Sequence, residues 1–342
     1  MKPSELHRTT ATVLRVLLGL FFCVSSVLKL VSVDDFELYI FSFGFAAFDL
    51  SSLAARLIII GEFILGLGLV SGWWHRFVNS VTAVLLVGFS AFLLWRMAVG
   101  DEGSCHCLGS LVDMNPWQSL IKNAVALVML GVAWSCPSEL FSDFASEAVL
   151  PEGTSAPDDS FLLRLVRKCV RGVYRHKVLT ASILSFVTAL TIFIINPPDL
   201  WFRLTRGVED DLNVTEFQSY ADSTGVSTGR KIVCFYSVDC AHCRHCAEKM
   251  AGIIRRHNIP VDSVHCFFMQ EYVEMDKAAE MFFDKFGAGL HLPFSSIDAL
   301  EFIPLTDGSM PLVCLFEDGV LVKEYDRLTI DETAIYQFIS QP

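Results

Sequence analysis

Residues 238–246 read Val238-Asp239-Cys240-Ala241-His242-Cys243-Arg244-His245-Cys246. Two cysteines three positions apart at the start of a helix can close a disulfide with tolerable geometry. Cys240 would stand at the helix N-terminus, where unpaired N–H groups and the positive dipole end stabilise a thiolate. Cys243, one turn in, would attack a mixed disulfide and release the product. The same stretch admits metal chemistry, because Cys240, His242, Cys243, His245 and Cys246 offer five ligands that zinc or copper accepts. Cys246 lies one turn beyond Cys243 and reads either as an auxiliary thiol or as a small buried hydrophobe. A second candidate is Gly103-Ser104-Cys105-His106-Cys107-Leu108-Gly109. A disulfide between Cys105 and Cys107 closes a small, strained ring, and strain makes it a competent exchange partner. A metal pair with His106, or thiols with no role, are the other readings. Cys234, Cys266 and Cys314 fall in apolar strands, and Cys23 and Cys136 in or beside apolar helices, where packing is the expected role.

The elements around the first motif follow from the sequence pattern. A buried strand over 231–237 leads into the motif, and a helix runs on to about residue 257. A strand over 264–269 and a helix over 273–286 come next, then a less regular stretch. Strand 309–316 turns at Glu317-Asp318-Gly319 into strand 320–325, and a last helix runs from Thr329 to about Ser340. Strand, C-x-x-C, helix, strand, helix, Met-Pro, hairpin and helix together resemble thioredoxin over about 228–341. The resemblance implies that Pro311 is a cis-proline facing the disulfide, where a substrate chain docks. His242 occupies the place that strongly oxidising members give to histidine, where it favours the thiolate and raises the potential.

Ahead of this domain the composition is that of a membrane protein. The 342 residues are 53% hydrophobic and 19% charged, with mean hydropathy +0.48. Apolar stretches at about 11–31, 53–71, 77–99 and 118–135 each approach the roughly 20 residues a spanning helix needs. A fifth, 178–195, carries no charge. The first lacks a small-x-small cleavage pattern and reads as a retained helix. Lys2, Arg8, Arg76 and the basic run from Arg164 to Lys177 fall on one side of the five crossings, which makes that side cytoplasmic. The 100–117 loop and everything after 196 then lie outside. Residues 34–48 are too short to span and are expected on the outer membrane surface, apolar face down. Net charge is also unevenly placed. Residues 1–198 hold 15 acids and 14 bases, and residues 199–342 hold 23 acids and 12 bases. No basic patch points to nucleic acid.

The four-helix part, with C-x-C-x-G and then Pro116-Trp117-Gln118 before the fourth helix, resembles the DoxX/MauE-like family of redox-associated membrane proteins over about 10–135. Leu14–Gly19, Lys29-Leu30, Glu62 and Gly66 also match. The family usually has Gly between the cysteines and Phe after them, where this chain has His106 and Leu108. Its methylamine-utilisation member is linked to disulfide formation in a cysteine-rich exported protein. The whole layout also resembles bacterial vitamin K epoxide reductase fusions. Those carry C-x-x-C in the fourth helix, and 118–135 has no cysteine, so their quinone chemistry does not transfer. Glu62, near mid-membrane, is expected to pair with Arg15 across the first two helices, with a proton-handling role as the other reading.

The expected architecture is therefore a four-helix transmembrane domain (1–136), a cytoplasmic linker (137–177), a fifth membrane helix (178–195), an external linker (196–227) and an α/β thioredoxin-like domain (228–342). The expected activity is thiol–disulfide exchange with exported cysteine-containing proteins, at a bacterial inner membrane with the last domain periplasmic. Cys240, Cys243, Cys105, Cys107 and Pro311 carry that activity, and His242, Cys246 and Glu62 are auxiliary. The lipid bilayer is the other expected partner. No cofactor is evident, and a quinone has no support in the sequence. A membrane metal-handling protein passing copper, zinc or mercury, or a membrane-anchored binding domain, are the alternatives.

Overall fold

The computed structural model describes residues 3–72, 74–100, 108–109, 114–134, 177–205, 212–287 and 289–340. The chain forms two units, Met1–Phe36 with Arg56–Asn196, and Glu37–Ala55 with Pro197–Pro342. The expected cytoplasmic linker falls almost wholly outside the described residues.

The first unit is built from long apolar helices. These are α1 (Pro3–Val31), the start of α2 (Val33–Ser42), most of α3 (Phe48–Ser71), α4 (His75–Ala98), α5 (Pro116–Trp134) and α6 (Lys177–Ile195). Thr10–Val31 of α1, together with α3, α4 and α5, is long and apolar enough to cross a bilayer. The α6 helix, taken together with the short α7 (Asp199–Thr205) that follows it, makes a fifth candidate span. Outward side chains such as Leu57, Val84 and Val128 stay exposed, which costs nothing against lipid tails. The interior instead uses small and polar residues, as helix packing in hydrocarbon requires. A Cβ on Gly19 would meet the Gly66 carbonyl at 2.7 Å, so only glycines let α1 and α3 approach this closely. Across the α4–α5 seam, Asn123 Nδ2 donates to Ser90 Oγ at 3.1 Å.

Glu62 is ion-paired, but not with Arg15. Its carboxylate takes Lys29 Nζ at 2.5 Å and Ser25 Oγ at 3.3 Å. The reason is register. The helices α1 and α3 run antiparallel, with Gly19 beside Gly66 and Ser26 Oγ bonded to the Ile59 carbonyl. Residue 62 therefore lies level with Cys23. Helical side chains lean towards the helix N-terminus, so Lys29 reaches back to that level. Arg15 lies two turns away and leans further off, against Gly72.

The second unit contains a five-stranded sheet of order β3-β2-β1-β4-β5. Its strands are β1 (Arg230–Tyr236), β2 (Val264–Gln270), β3 (Phe294–Asp298), β4 (Leu312–Glu317) and β5 (Val320–Asp326). The β1, β2 and β3 strands are parallel, and β4 runs antiparallel to both its neighbours, β1 and β5. The period of two along β1 splits its side chains between two cores. Ile232, Cys234 and Tyr236 face α9 (Ala241–His257) and α10 (Met275–Phe286), while Val233 and Phe235 face α8 (Val214–Thr224) and α11 (Ala299–Leu305). The β4–β5 turn has Asp318 and Gly319 both at positive φ, 48° and 78°, as a tight hairpin requires. The last helix, α12 (Glu332–Ser340), closes the first face.

Two expectations change here. The stretch before residue 228 is not all linker. In it, α8 is capped by Asn213 Oδ1 on the Glu216 N–H and stopped by Gly225 at φ 73°, and it buries Phe217 and Ala221 in the core. Residues 34–48, expected apolar face down on the outer membrane surface, instead send Phe41 and Phe48 into a protein core. Phe41 and Phe48 are 4% and 5% exposed and belong to the same core as Ile254 and Met250 of α9. A Cβ on Gly252 would overlap the Phe41 ring, so glycine opens the slot. Polar contacts fix the strap. Glu332 accepts from the Phe48 N–H at 2.7 Å and from His257 Nε2 at 2.8 Å. Arg256 donates to the Ala46 carbonyl. Lys249 sits 3.8 Å over the Phe48 ring and 2.9 Å from Asp199. Burying two aromatic rings outweighs spreading them on a surface.

Two outcomes follow. Phe41→Ala destabilises the α/β unit by about 3 kcal/mol, and Gly252→Val has a similar effect by expelling the same ring. Thermal unfolding of the full chain in detergent, followed by protease sensitivity of 212–340, measures both. In the bundle, Glu62→Ala strands Lys29 and costs about 3 kcal/mol, whereas Lys29→Met with Glu62→Leu recovers most of the loss. Unfolding midpoints of the three variants in detergent give that comparison.

Candidate active site

Cys240 and Cys243 are positioned by the step from β1 into α9. The apolar run Ile232–Tyr236 fixes β1 in the middle of the sheet. The chain then leaves the sheet through Ser237, Val238 and Asp239, and α9 begins. Its apolar face of Cys243, Cys246, Ala247, Met250, Ile253 and Ile254 packs on the sheet, with the spacing of one helix stripe. Asn258 at φ 50° ends it, and Arg255, Arg256 and His257 occupy the last turn, where the dipole favours positive charge.

Cys240 is the N-cap residue. Its Sγ accepts from the Cys243 N–H at 3.4 Å, and the side chain is half-buried while Cys243 is fully buried. The hydrogen bond with the Cys243 thiol pulls the Cys240 thiol down to about 5 against the opposing push of burial. The N–H groups of Cys243 and His242 and the His242 charge act in the same direction as that bond. Cys243 moves the other way, pushed far up by the same hydrogen bond and by burial. The Ser237 N–H, 3.4 Å from its sulfur, favours the thiolate. The pair therefore holds one half-exposed sulfur that favours the thiolate and one buried sulfur that favours the thiol, the division of labour that disulfide exchange needs.

The other predicted residues are placed as follows. Met310–Pro311 is a cis peptide bond, and Pro311 is buried. Leu312 pairs with Phe235, so Pro311 stands just past the ladder, at the sheet end from which the 237–240 loop leaves. Cys246 is buried 3.8 Å from the Tyr236 hydroxyl, and burial raises its thiol to about 12. Cys234 and Cys266 are register partners on β1 and β2, both fully buried, and burial raises Cys266 further. Among the described residues, no three His, Cys, Asp or Glu side chains converge as a metal site. The helical period sends Cys243 and Cys246 inward and leaves His242 and His245 outside the core. Cys105, His106 and Cys107 lie outside the described residues. Glu62 belongs to the bundle and pairs with Lys29.

Three residues to which the motif assigned no role complete the site, Arg244 within it and Glu271 and Tyr272 beyond it. Glu271, just after β2, takes the Ser237 hydroxyl at 2.8 Å and the Val238 N–H at 3.1 Å. Tyr272 donates to Asp239 at 2.7 Å. Arg244 donates twice to the Val238 carbonyl, at 3.1 and 3.0 Å, and lies over the Phe286 ring. The available signal was position, since residues just past the carboxyl ends of parallel strands line the crevice of an open α/β sheet.

Residues 7–136 match the family model described as methylamine utilisation protein MauE, so the membrane part is MauE-like. Over 340 residues the chain is 22% identical to Protein TlpB of Flavobacterium psychrophilum, which covers 92% of this chain and 91% of that protein. No solved structure matches the chain.

The split thiol pair predicts the pH response. Iodoacetamide labelling of reduced Cys240 proceeds near its plateau rate at pH 7 and falls as pH drops through about 5, whereas an unperturbed thiol is still accelerating at pH 8. Because folding lowers this thiol from its ordinary 9.0, ionised Cys240 stabilises the reduced fold fully above about pH 9, and that contribution is lost as pH falls through about 5. Denaturant unfolding of the reduced protein against Cys240→Ser at pH 4 and pH 8 reads the difference, with the advantage of the native residue confined to pH 8.

Proposed function

We propose that the protein is a membrane-anchored thiol–disulfide oxidoreductase whose α/β domain exchanges disulfides with exported cysteine-containing proteins. The observation that carries this reading is the half-exposed Cys240 sulfur capping α9 and accepting from the Cys243 N–H, an arrangement that favours its thiolate. In the reducing direction, the Cys240 thiolate attacks a substrate disulfide. One substrate sulfur leaves as a thiolate, and the other is joined to Cys240. Cys243 then loses its proton and attacks the Cys240 sulfur, closing the Cys240–Cys243 disulfide. The second substrate sulfur leaves and takes up a proton. Two electrons pass to the substrate. The reverse sequence oxidises a substrate dithiol.

The thioredoxin-like reading of the domain rests on element order. The β1 strand, the C-x-x-C, α9, β2, α10, a Met-Pro bond, the β4–β5 hairpin and α12 follow the order the resemblance implies. The β3 strand and α11 are inserted between α10 and Met310. We further propose that Cys105 and Cys107 exchange with Cys240 and Cys243, at the periplasmic face of a bacterial inner membrane, with the N-terminus cytoplasmic. The MauE-like bundle supports a membrane partner for the thiol pair. Joining both on one chain makes their encounter intramolecular, at an effective concentration of roughly millimolar for a linker that spans the gap.

The Cys243→Ala variant tests the reading. Its Cys240 attacks substrate but cannot be resolved, so reductant-sensitive covalent complexes with exported proteins accumulate. They are absent when Cys240 is also replaced by Ala. Trapping thiols in cells with a mass-tagged alkylator tests the relay, because Cys105→Ala shifts the redox state of Cys240 and Cys243. An unchanged state overturns the exchange with the membrane loop, and absence of complexes in Cys243→Ala overturns the oxidoreductase.

A further inference from the structure

Attack by Cys243 needs its proton removed in a site that is fully buried. The Ser237 N–H, 3.4 Å from the Cys243 sulfur, favours the thiolate there. A hydrogen bond does so only while its donor is held, and Ser237 belongs to the loop between β1 and α9 rather than to either element.

At its Ser237 end that loop is gripped by one carboxylate. Glu271 Oε1 and Oε2 accept from the Ser237 hydroxyl at 2.8 and 3.0 Å, and Oε2 accepts from the Val238 N–H at 3.1 Å. Ser237 itself is buried, 3% exposed, so its hydroxyl depends on this partner. Glu271 is exposed and follows directly on β2, so the grip comes from a rigid parallel strand beside β1. The rest of the loop is held separately. Tyr272 bonds Asp239, and Arg244 bonds the Val238 carbonyl. Loss of Glu271 therefore loosens the Ser237 end, where the Ser237 carbonyl still accepts from the Cys240 N–H at 3.4 Å, without releasing the other.

Resting on the oxidoreductase reading above, the geometry points to Glu271 as a positioning residue for the second chemical step, holding through Ser237 the amide that faces the Cys243 sulfur. Cys240 draws on the helix N-terminus instead, so the first step does not use this contact. Glutamine can accept the same two hydrogen bonds through its amide oxygen; alanine cannot.

The experiment uses the full chain in detergent, reduced, with Cys105, Cys107, Cys136 and Cys169 replaced by Ala. The probe is the symmetrical aromatic disulfide of thionitrobenzoate. Attack by Cys240 releases one thionitrobenzoate and leaves the other bound to its sulfur. Attack by Cys243 releases the second and closes the Cys240–Cys243 disulfide. In Glu271→Ala the first release stays within about twofold of the parent and the second slows about tenfold, the loss expected for charge-assisted hydrogen bonds. Glu271→Gln restores the second release to within about threefold of the parent. Ser237→Ala, which keeps the amide and removes only the hydroxyl, falls between the parent and Glu271→Ala. A second release at parental rate in Glu271→Ala overturns the inference. So does an equal slowing of both releases, or a Gln variant as slow as Ala. If the parent itself releases only one thionitrobenzoate, Cys243 does not resolve, and the oxidoreductase reading falls together with this one.

Discussion

A hydrogen bond from the Cys243 N–H to the Cys240 sulfur organises the candidate site. Sulfur is a weak acceptor, and the bond has value here because the helix N-terminus supplies oriented N–H groups that α9 cannot use internally. Those groups point at Cys240 only while α9 keeps its place on the sheet. The apolar stripe from Cys243 to Ile254 keeps it there on one side. The Phe41–Phe48 strap, seated over Gly252, holds the opposite side of the same helix. The chemistry at the first turn of α9 thus depends on packing three turns further on. A Cβ at residue 252 would displace an aromatic ring that belongs to the same core as Cys243.

Burial sorts the described cysteines of this domain into two classes. Cys240 alone is half-exposed; Cys234, Cys243, Cys246, Cys266 and Cys314 are buried. An apolar interior disfavours the thiolate, which raises Cys246 and Cys266 and leaves them inert beside a reactive thiol. Cys243 shares that burial but differs in facing the Ser237 amide and the Cys240 sulfur. The three-residue spacing of the motif achieves this: position 240 caps the helix, while positions 243 and 246 lie on its buried stripe. The same geometry disperses the ligand set that the stretch offers on paper, since its cysteines and histidines leave α9 in different directions.

What the sequence made legible was what local pattern determines. Long apolar runs gave the membrane helices, because roughly 20 apolar residues have few other uses. The alternation along 231–237, the C-x-x-C at a helix start and the Asp318-Gly319 turn gave the centre of the sheet and its hairpin. What stayed hidden depends on distant partners. Phe41 and Phe48 meet α9 across some 200 residues of chain, and an amphipathic strap looks the same whether it faces lipid or protein. The β3 strand is only five residues long and half polar, and α11 contains Pro304, so neither carries a clear period. The Glu62 partner was missed by one step of geometry. Arg15 has the right charge, but antiparallel register and the backward lean of helical side chains bring Lys29 to the carboxylate instead.

A second hydrogen bond, between the two sulfurs, orders the proposed reaction. In the reduced pair, Cys240 carries the negative charge, and the hydrogen bond its sulfur takes from the Cys243 thiol, with burial, keeps the proton on Cys243. Two thiolates in contact would repel, so only one sulfur is nucleophilic at a time. Once Cys240 is joined to a substrate sulfur it no longer bears charge. The chief cause that held the Cys243 proton is then removed by the first step itself, while the Ser237 amide that favours the thiolate stays in place. Cys243 thus becomes easier to ionise only when there is a mixed disulfide to attack. A pair built this way needs no conformational switch to run its steps in sequence. The switch is the neutralisation of one sulfur next to another, and the fold's contribution is to hold the two sulfurs, one helix terminus and one loop amide in register.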